Sequence, residues 1–109
     1  MHVNLLVLRC RDIEATRTFY TQLGLTFTRE QHGSGPVHYS TYLGGLLLEL
    51  YPTNAEPDNV RLGFSVPPTL LAQFNTHTQD PAQGCRDPDG RFVALSMDEW
   101  NPRQGCGSR

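Results

Sequence analysis

Hydrophobic and polar residues change their period several times along this chain, and each change marks an element. Val3 to Cys10 is an aliphatic run with few breaks, the pattern of a strand buried on both faces. From Asp12 the period becomes helical. Ile13, Thr16, Phe19, Tyr20 and Leu23 share a face, the Asp12 carboxylate can accept an orphan amide of the first turn, and Gly24 can take the left-handed conformation that ends a helix. A helix over 12–23 is therefore predicted, followed by a strand from Leu25 to Glu30 and a loop from His32 to Pro36.

Alternation with period two returns in Val37 to Leu43 and Leu46 to Tyr51, joined by Gly44-Gly45, the composition of a two-residue hairpin turn. That turn makes Leu43 oppose Leu46, Tyr42 oppose Leu47, Ser40 oppose Glu49 and His38 oppose Tyr51. One hairpin face is then Val37, Tyr39, Thr41, Leu43, Leu46, Leu48 and Leu50, suited to cover a helix. The other carries His38, Ser40, Tyr42, Leu47, Glu49 and Tyr51. Apolar walls with a few placed polar groups suit a ligand cavity, although a plain solvated face would also be polar.

A polar, proline-bounded linker, 52–59, separates this half from a shorter second one. Val60 to Val66 alternates, with Val60, Leu62, Phe64 and Val66 on one face and Arg61, Gly63 and Ser65 on the other. Pro67-Pro68 can open a helix over Thr69 to Asn75. A polar stretch then leads to Asp87-Pro88-Asp89-Gly90, a turn signal, and to a strand from Phe92 to Met97. The tail 98–109, with Trp100, either packs over a sheet edge or is partly disordered.

The 109 residues suffice for one domain with a single core. Nine basic residues against eleven acidic ones, for a net charge of -2, form no basic cluster of the kind that nucleic acid requires. The apolar runs are strand-length, far short of the roughly 20 residues that span a bilayer. With a strand starting at Val3, no room is left for a secretory leader, so a cytoplasmic protein is expected. Cys10, Cys85 and Cys106 are an odd number with no CxxC spacing, which argues against both a disulfide framework and a zinc site. Cys85 beside Arg86 could have a lowered thiol pKa, against the simpler reading of inert thiols.

Taken together, a helix opened by Asp12, packed by Phe19-Tyr20 and closed by Leu23-Gly24, the strand Leu47-Leu48-Glu49-Leu50-Tyr51, and the late Asp-Pro-Asp-Gly turn resemble the vicinal-oxygen-chelate superfamily. That superfamily holds glyoxalase I, bleomycin-resistance proteins and extradiol dioxygenases. The resemblance implies an α+β fold of paired βαβββ-like modules with a curved, antiparallel-rich mixed sheet: a first module at 1–51 and a shortened second one at 60–97, at least one strand missing or very short. It also implies a homodimer whose curved sheets face each other.

Metal-dependent members place one ligand on each of four strands. Transferred to this chain, those positions are Leu5, Glu49, Arg61 and Ala94, of which only Glu49 can donate, so no metal cofactor is expected. Arg61 would instead supply positive charge beside Glu49 and pair with it across the cavity, either as structure or as part of a ligand site. The function implied is metal-independent binding of a small aromatic or amphipathic molecule, as in the bleomycin-resistance branch. Leu5, Tyr42, Leu47, Tyr51 and Phe92 would form walls, and His38, Ser40, Glu49 and Arg61 would orient polar groups. The alternatives are a glyoxalase- or dioxygenase-like reaction with His38 or Glu49 as base or metal ligand, and an interaction module whose cavity is filled by its own side chains. His38 is more simply read as hydrogen-bonded structure than as a general base, and His2, His32 and His77 as exposed residues of termini and loops.

Overall fold

The computed structural model describes residues 1–77 and 85–97, without the side chains of 74–77. The stretch 78–84 and the tail with Trp100 and Cys106 lie outside the described residues. In chain order the elements are β1 (Leu5–Cys10), α1 (Ile13–Gln22), β2 (Thr28–Glu30), β3 (His38–Leu43), β4 (Leu46–Pro52), β5 (Leu62–Val66), α2 (Pro68–His77), β6 (Cys85–Arg86) and β7 (Phe92–Met97). The first four strands form a sheet in the order β1-β4-β3-β2, and the last three form one in the order β5-β7-β6. In each sheet the opening strand lies parallel to the closing strand, and the other pairings are antiparallel. The second module thus repeats the first. Its β6 has two residues, and β2 has no counterpart among the described residues.

The local chemistry acts as the residue types require. Asp12 Oδ1 accepts hydrogen bonds from the amides of Glu14 and Ala15 at 3.0 and 3.1 Å. Gly24, at φ +102, turns the chain out of α1, and Leu25 still bonds back to the Tyr20 carbonyl at 3.2 Å. For that reason β2 opens at Thr28, three residues later than the composition predicts, while Leu25 is buried in the core. Gly44, at φ +60, makes the hairpin turn, and the β3–β4 register is the expected one. The helix α2 runs two residues past its expected end, so His77 closes a helix and does not sit in a loop.

One expectation fails at β1. The strand is not buried on both faces: Leu8 and Cys10 are fully buried, whereas Leu5 is 49% exposed and Arg9 is exposed. It is an edge strand of a sheet that α1 covers on one face only, so an apolar run here marks an uncovered surface. The covered face of the first sheet, with Leu8, Cys10, Tyr39, Leu48 and Leu50, joins Tyr20 of α1 and Val93 of β7 in one core.

Polar contacts fasten the two modules. The Asp87 carboxylate accepts from the amides of Asp89 and Arg91 at 2.9 and 3.0 Å, folding the turn that Gly90, at φ +88, completes. Its second oxygen accepts from the Tyr20 hydroxyl at 2.6 Å and from the Arg91 guanidinium at 3.0 Å. Arg91, wholly buried, also donates to Asp89 at 3.1 Å and to the Arg9 carbonyl at the end of β1 at 2.5 Å. Asp89 in turn accepts from the Arg11 amide at 3.1 Å. Burial, and then the bond to Asp87, push the Tyr20 hydroxyl well above its ordinary pKa, so it remains a donor.

Candidate functional site

The uncovered face of the first sheet carries the sequence-predicted residues in cross-strand rows. Strand pairing aligns Leu5, Leu47 and Tyr42 in one row, and Val7, Glu49, Ser40 and Thr28 in the next. A third row holds Arg9, Tyr51, His38 and Glu30. Leu5 and Tyr42 project into solvent at 49% and 74% exposure, while Ser40 and His38 are buried and Leu47, Glu49 and Tyr51 are half-buried. The structure therefore unites Leu5, His38, Ser40, Tyr42, Leu47, Glu49 and Tyr51 on one surface.

Arg61 and Phe92 stand elsewhere, on the uncovered side of the second sheet. The Arg61 guanidinium lies over the Phe92 ring at 4.8 Å from its centroid, and the Arg86 guanidinium lies over the same ring at 5.1 Å. Around them is an open cleft of about 420 Å³ lined by Asn59, Arg61, Arg86 and Phe92, with no contribution from the first sheet. The expected pairing of Arg61 with Glu49 is not made. Among the described residues neither forms an ion pair, because Arg61 precedes β5 and reaches across to the aromatic ring on neighbouring β7. The sequence reading missed Arg86, whose place beside Phe92 follows from the antiparallel β6–β7 pair, where the two residues are register partners.

The four positions at which the resemblance would place metal ligands do not fit a metal ion. Leu5 and Ala94 have no donor atom, and Arg61 brings a permanent positive charge, which leaves Glu49 alone. Thiolate chemistry is also remote at the two described cysteines, Cys10 and Cys85. Burial, aided by the nearby Asp87 charge, raises the Cys85 thiol pKa, against the lowering that Arg86 suggested, and burial pushes Cys10 up to about 11. Where the modules meet, an apolar cavity of about 270 Å³ opens between Leu6, Leu43 and Leu48 of the first and Leu62 and Phe64 of the second.

A second polar cluster lies at the β2 edge of the first sheet. His38 is 1% exposed, and its ring stacks on Tyr51, with centroids 4.2 Å apart and planes inclined by 10°. Its Nδ1 lies 3.3 Å from the Pro36 carbonyl. Its Nε2 makes no hydrogen bond and lies 3.4 Å from Glu30 Oε1, and the His32 ring centroid is 5.3 Å away.

The architecture, two βαβββ-type modules of which the second is shortened, is consistent with the vicinal-oxygen-chelate fold. No protein-family model matches the sequence, and no curated protein sequence matches it. Solved structures share its fold. Over 93% of this chain and 96% of its own, the oxidase ChaP-H2 is similar at 14% identity and a TM-score of 0.65. A possible glyoxalase from Bacillus cereus is similar over 89% and 99% at 18% identity and a TM-score of 0.63. An integron cassette protein from the mobile metagenome of V. cholerae is similar over 90% and 95% at 24% identity and a TM-score of 0.58. The fold is thus that of glyoxalase-like proteins. Their differing descriptions leave its chemistry to be argued from this chain's own residues.

Proposed function

We propose that this protein binds a small aromatic or amphipathic molecule carrying an anionic group, in the manner of bleomycin-resistance proteins and without an ion at the four family positions. The observation that carries the reading is the cleft at Phe92. Two guanidiniums flank one half-buried ring, and among the described residues no carboxylate pairs with either. The ring supplies apolar wall and holds the two guanidiniums in place, and these offer planar donors for a carboxylate, sulfonate or phosphate. A volume of about 420 Å³ lies within the usual range for small-ligand sites.

The uncovered face of the first sheet belongs to the same reading. Leu5, Leu47, Tyr42 and Tyr51 would supply further wall, and Ser40 and Glu49 polar groups, once a second copy of the chain brings that face opposite the cleft in a homodimer. Glu49 would then orient a donor or cationic group on the far end of the ligand. An enzymatic alternative, with Glu49 as a general base, is favoured by one observation: the half-buried carboxylate has no ion-pair partner among the described residues.

Calorimetric titration with a panel of aromatic carboxylates, matched aromatic amines and neutral analogues tests the reading. Saturable binding confined to the anionic members, weakened at least about tenfold by Arg61→Ala and by Phe92→Ala, is the expected result. Equal or absent binding across the panel would refute it. Turnover abolished by Glu49→Gln would favour the enzyme.

A further inference from the structure

We infer that Glu30, His32 and His38 form a binding site for a divalent transition metal of the zinc class, at the outer edge of the first sheet and away from all four family ligand positions. One candidate donor atom from each residue lies within 4.8 Å of the others. Adjacency alone would carry little, since exposed acidic and imidazole groups often meet by chance. The second observation is the state of His38. Its Nε2 is buried and makes no hydrogen bond, although burying such a group without a partner is costly.

The tautomer follows from the neighbours. A carbonyl can only accept, so at 3.3 Å from the Pro36 oxygen it is Nδ1 that donates its proton. In the neutral ring Nε2 then holds a lone pair. A carboxylate oxygen, itself only an acceptor, lies 3.4 Å from that nitrogen, and two acceptors this close repel unless something positive stands between them. Two ligand atoms on a tetrahedral zinc ion, each at about 2.0–2.1 Å, are separated by roughly 3.3–3.4 Å. The His38–Glu30 spacing already has that value.

Other features of the site agree. The Nδ1 bond to a backbone carbonyl is the usual outer support of a metal-bound histidine, since it fixes the ring and raises its basicity. The stacked Tyr51 ring holds the imidazole plane from the side. His32 is exposed and lies in the loop between β2 and β3, beside Gly33 at φ +59, so it can close on an ion without disturbing a strand. Two imidazoles and one carboxylate suit zinc and also cobalt or nickel, and they leave a fourth position for water. The inference does not depend on the Phe92 cleft, with which it shares no residue.

The rival arrangement is a protonated His38 in simple charge contact with Glu30, and titration separates the two. Metal-stripped full-length protein is titrated with Co²⁺, read by visible d–d absorption, and the bound ion is then displaced with Zn²⁺. One equivalent, saturating at micromolar concentration with tetrahedral-type bands that Zn²⁺ removes, is expected. His32→Ala, a change at an exposed position, and Glu30→Gln should each weaken binding by about 100-fold or more, whereas His2→Ala should leave it unchanged. No saturable binding by the unmodified chain would overturn the proposal. So would one-equivalent binding that survives both His32→Ala and Glu30→Gln.

Discussion

Arg91 and His38 are about equally buried, at 0% and 1% exposure, yet their surroundings differ in kind. Around Arg91 the donors and acceptors close on one another. Asp87 receives bonds from two amides, a tyrosine and the guanidinium, Asp89 receives a third amide, and the far side of the guanidinium meets a strand-end carbonyl. Only the Arg91 Nε lacks a partner. At His38 one ring nitrogen is held while the other, buried, faces a carboxylate without bonding it. A closed network serves the fold, because removing any member strands the rest. An open one, arranged in the same molecule at some cost, marks a place where a further positive group belongs.

The largest test of this contrast is Arg91→Met. It leaves the Asp87 carboxylate, whose side chain is fully buried, without its cation, and should lower stability by about 3–5 kcal/mol in urea unfolding, enough to threaten folding at ambient temperature. A loss below about 1 kcal/mol would show that the network is not closed as described.

A smaller effect appears in alkali. Burial raises the Cys10 thiol from 9.0 to about 11, so the folded state holds that proton more tightly than the unfolded one. The associated stability is therefore fully present below pH 9 and is lost as pH rises toward 11, by about 2–3 kcal/mol. Unfolding curves across that range should show the loss in the native chain and a shallower one in Cys10→Ala. Equal slopes would place the thiol outside the core. The smallest effect belongs to the open cluster. In metal-free protein Glu30→Gln should change stability by less than about 0.5 kcal/mol, or raise it slightly, since an amide can donate to the Nε2 lone pair. A large destabilisation would show that the pair already supports the fold.

What the residues disclosed in advance follows the range of the interactions involved. The Asp12 cap, the Gly24 stop and the hairpin register at Gly44-Gly45 depend on neighbours close in sequence, and all appear as read. The exposure of Leu5 was not legible, because an apolar strand looks the same whether it is covered by its own chain or left open. The role of Arg91 was hidden for another reason. Charged residues are seldom buried, and the Arg9 carbonyl that it meets, like the Tyr20 hydroxyl that meets its partner Asp87, comes from the opposite end of the sequence. The Glu30–His38 pairing needed the β2–β3 register, which the long loop at 31–37 does not set. In the second module, Phe92 was visible as a wall residue. The placing of Arg61 and Arg86 over it arises from strand order, and the pairing of Arg61 with Glu49 fails for that reason.

The Arg91 network also bears on how the chain comes together in time. Its key contacts join residues 67 and 82 positions apart, from the Tyr20 hydroxyl to Asp87 and from Arg91 to the Arg9 carbonyl. Until residues 87–91 have been synthesised, the first helix has a buried hydroxyl with no acceptor and the first strand an uncapped end. The amino-terminal module therefore emerges from the ribosome able to form its hairpin but unable to finish its core, and contacts this distant in sequence make for slow folding. A nascent chain halted before that turn should remain protease-sensitive and prone to associate through its open strand edges, and should acquire native resistance abruptly once Arg91 is free to dock.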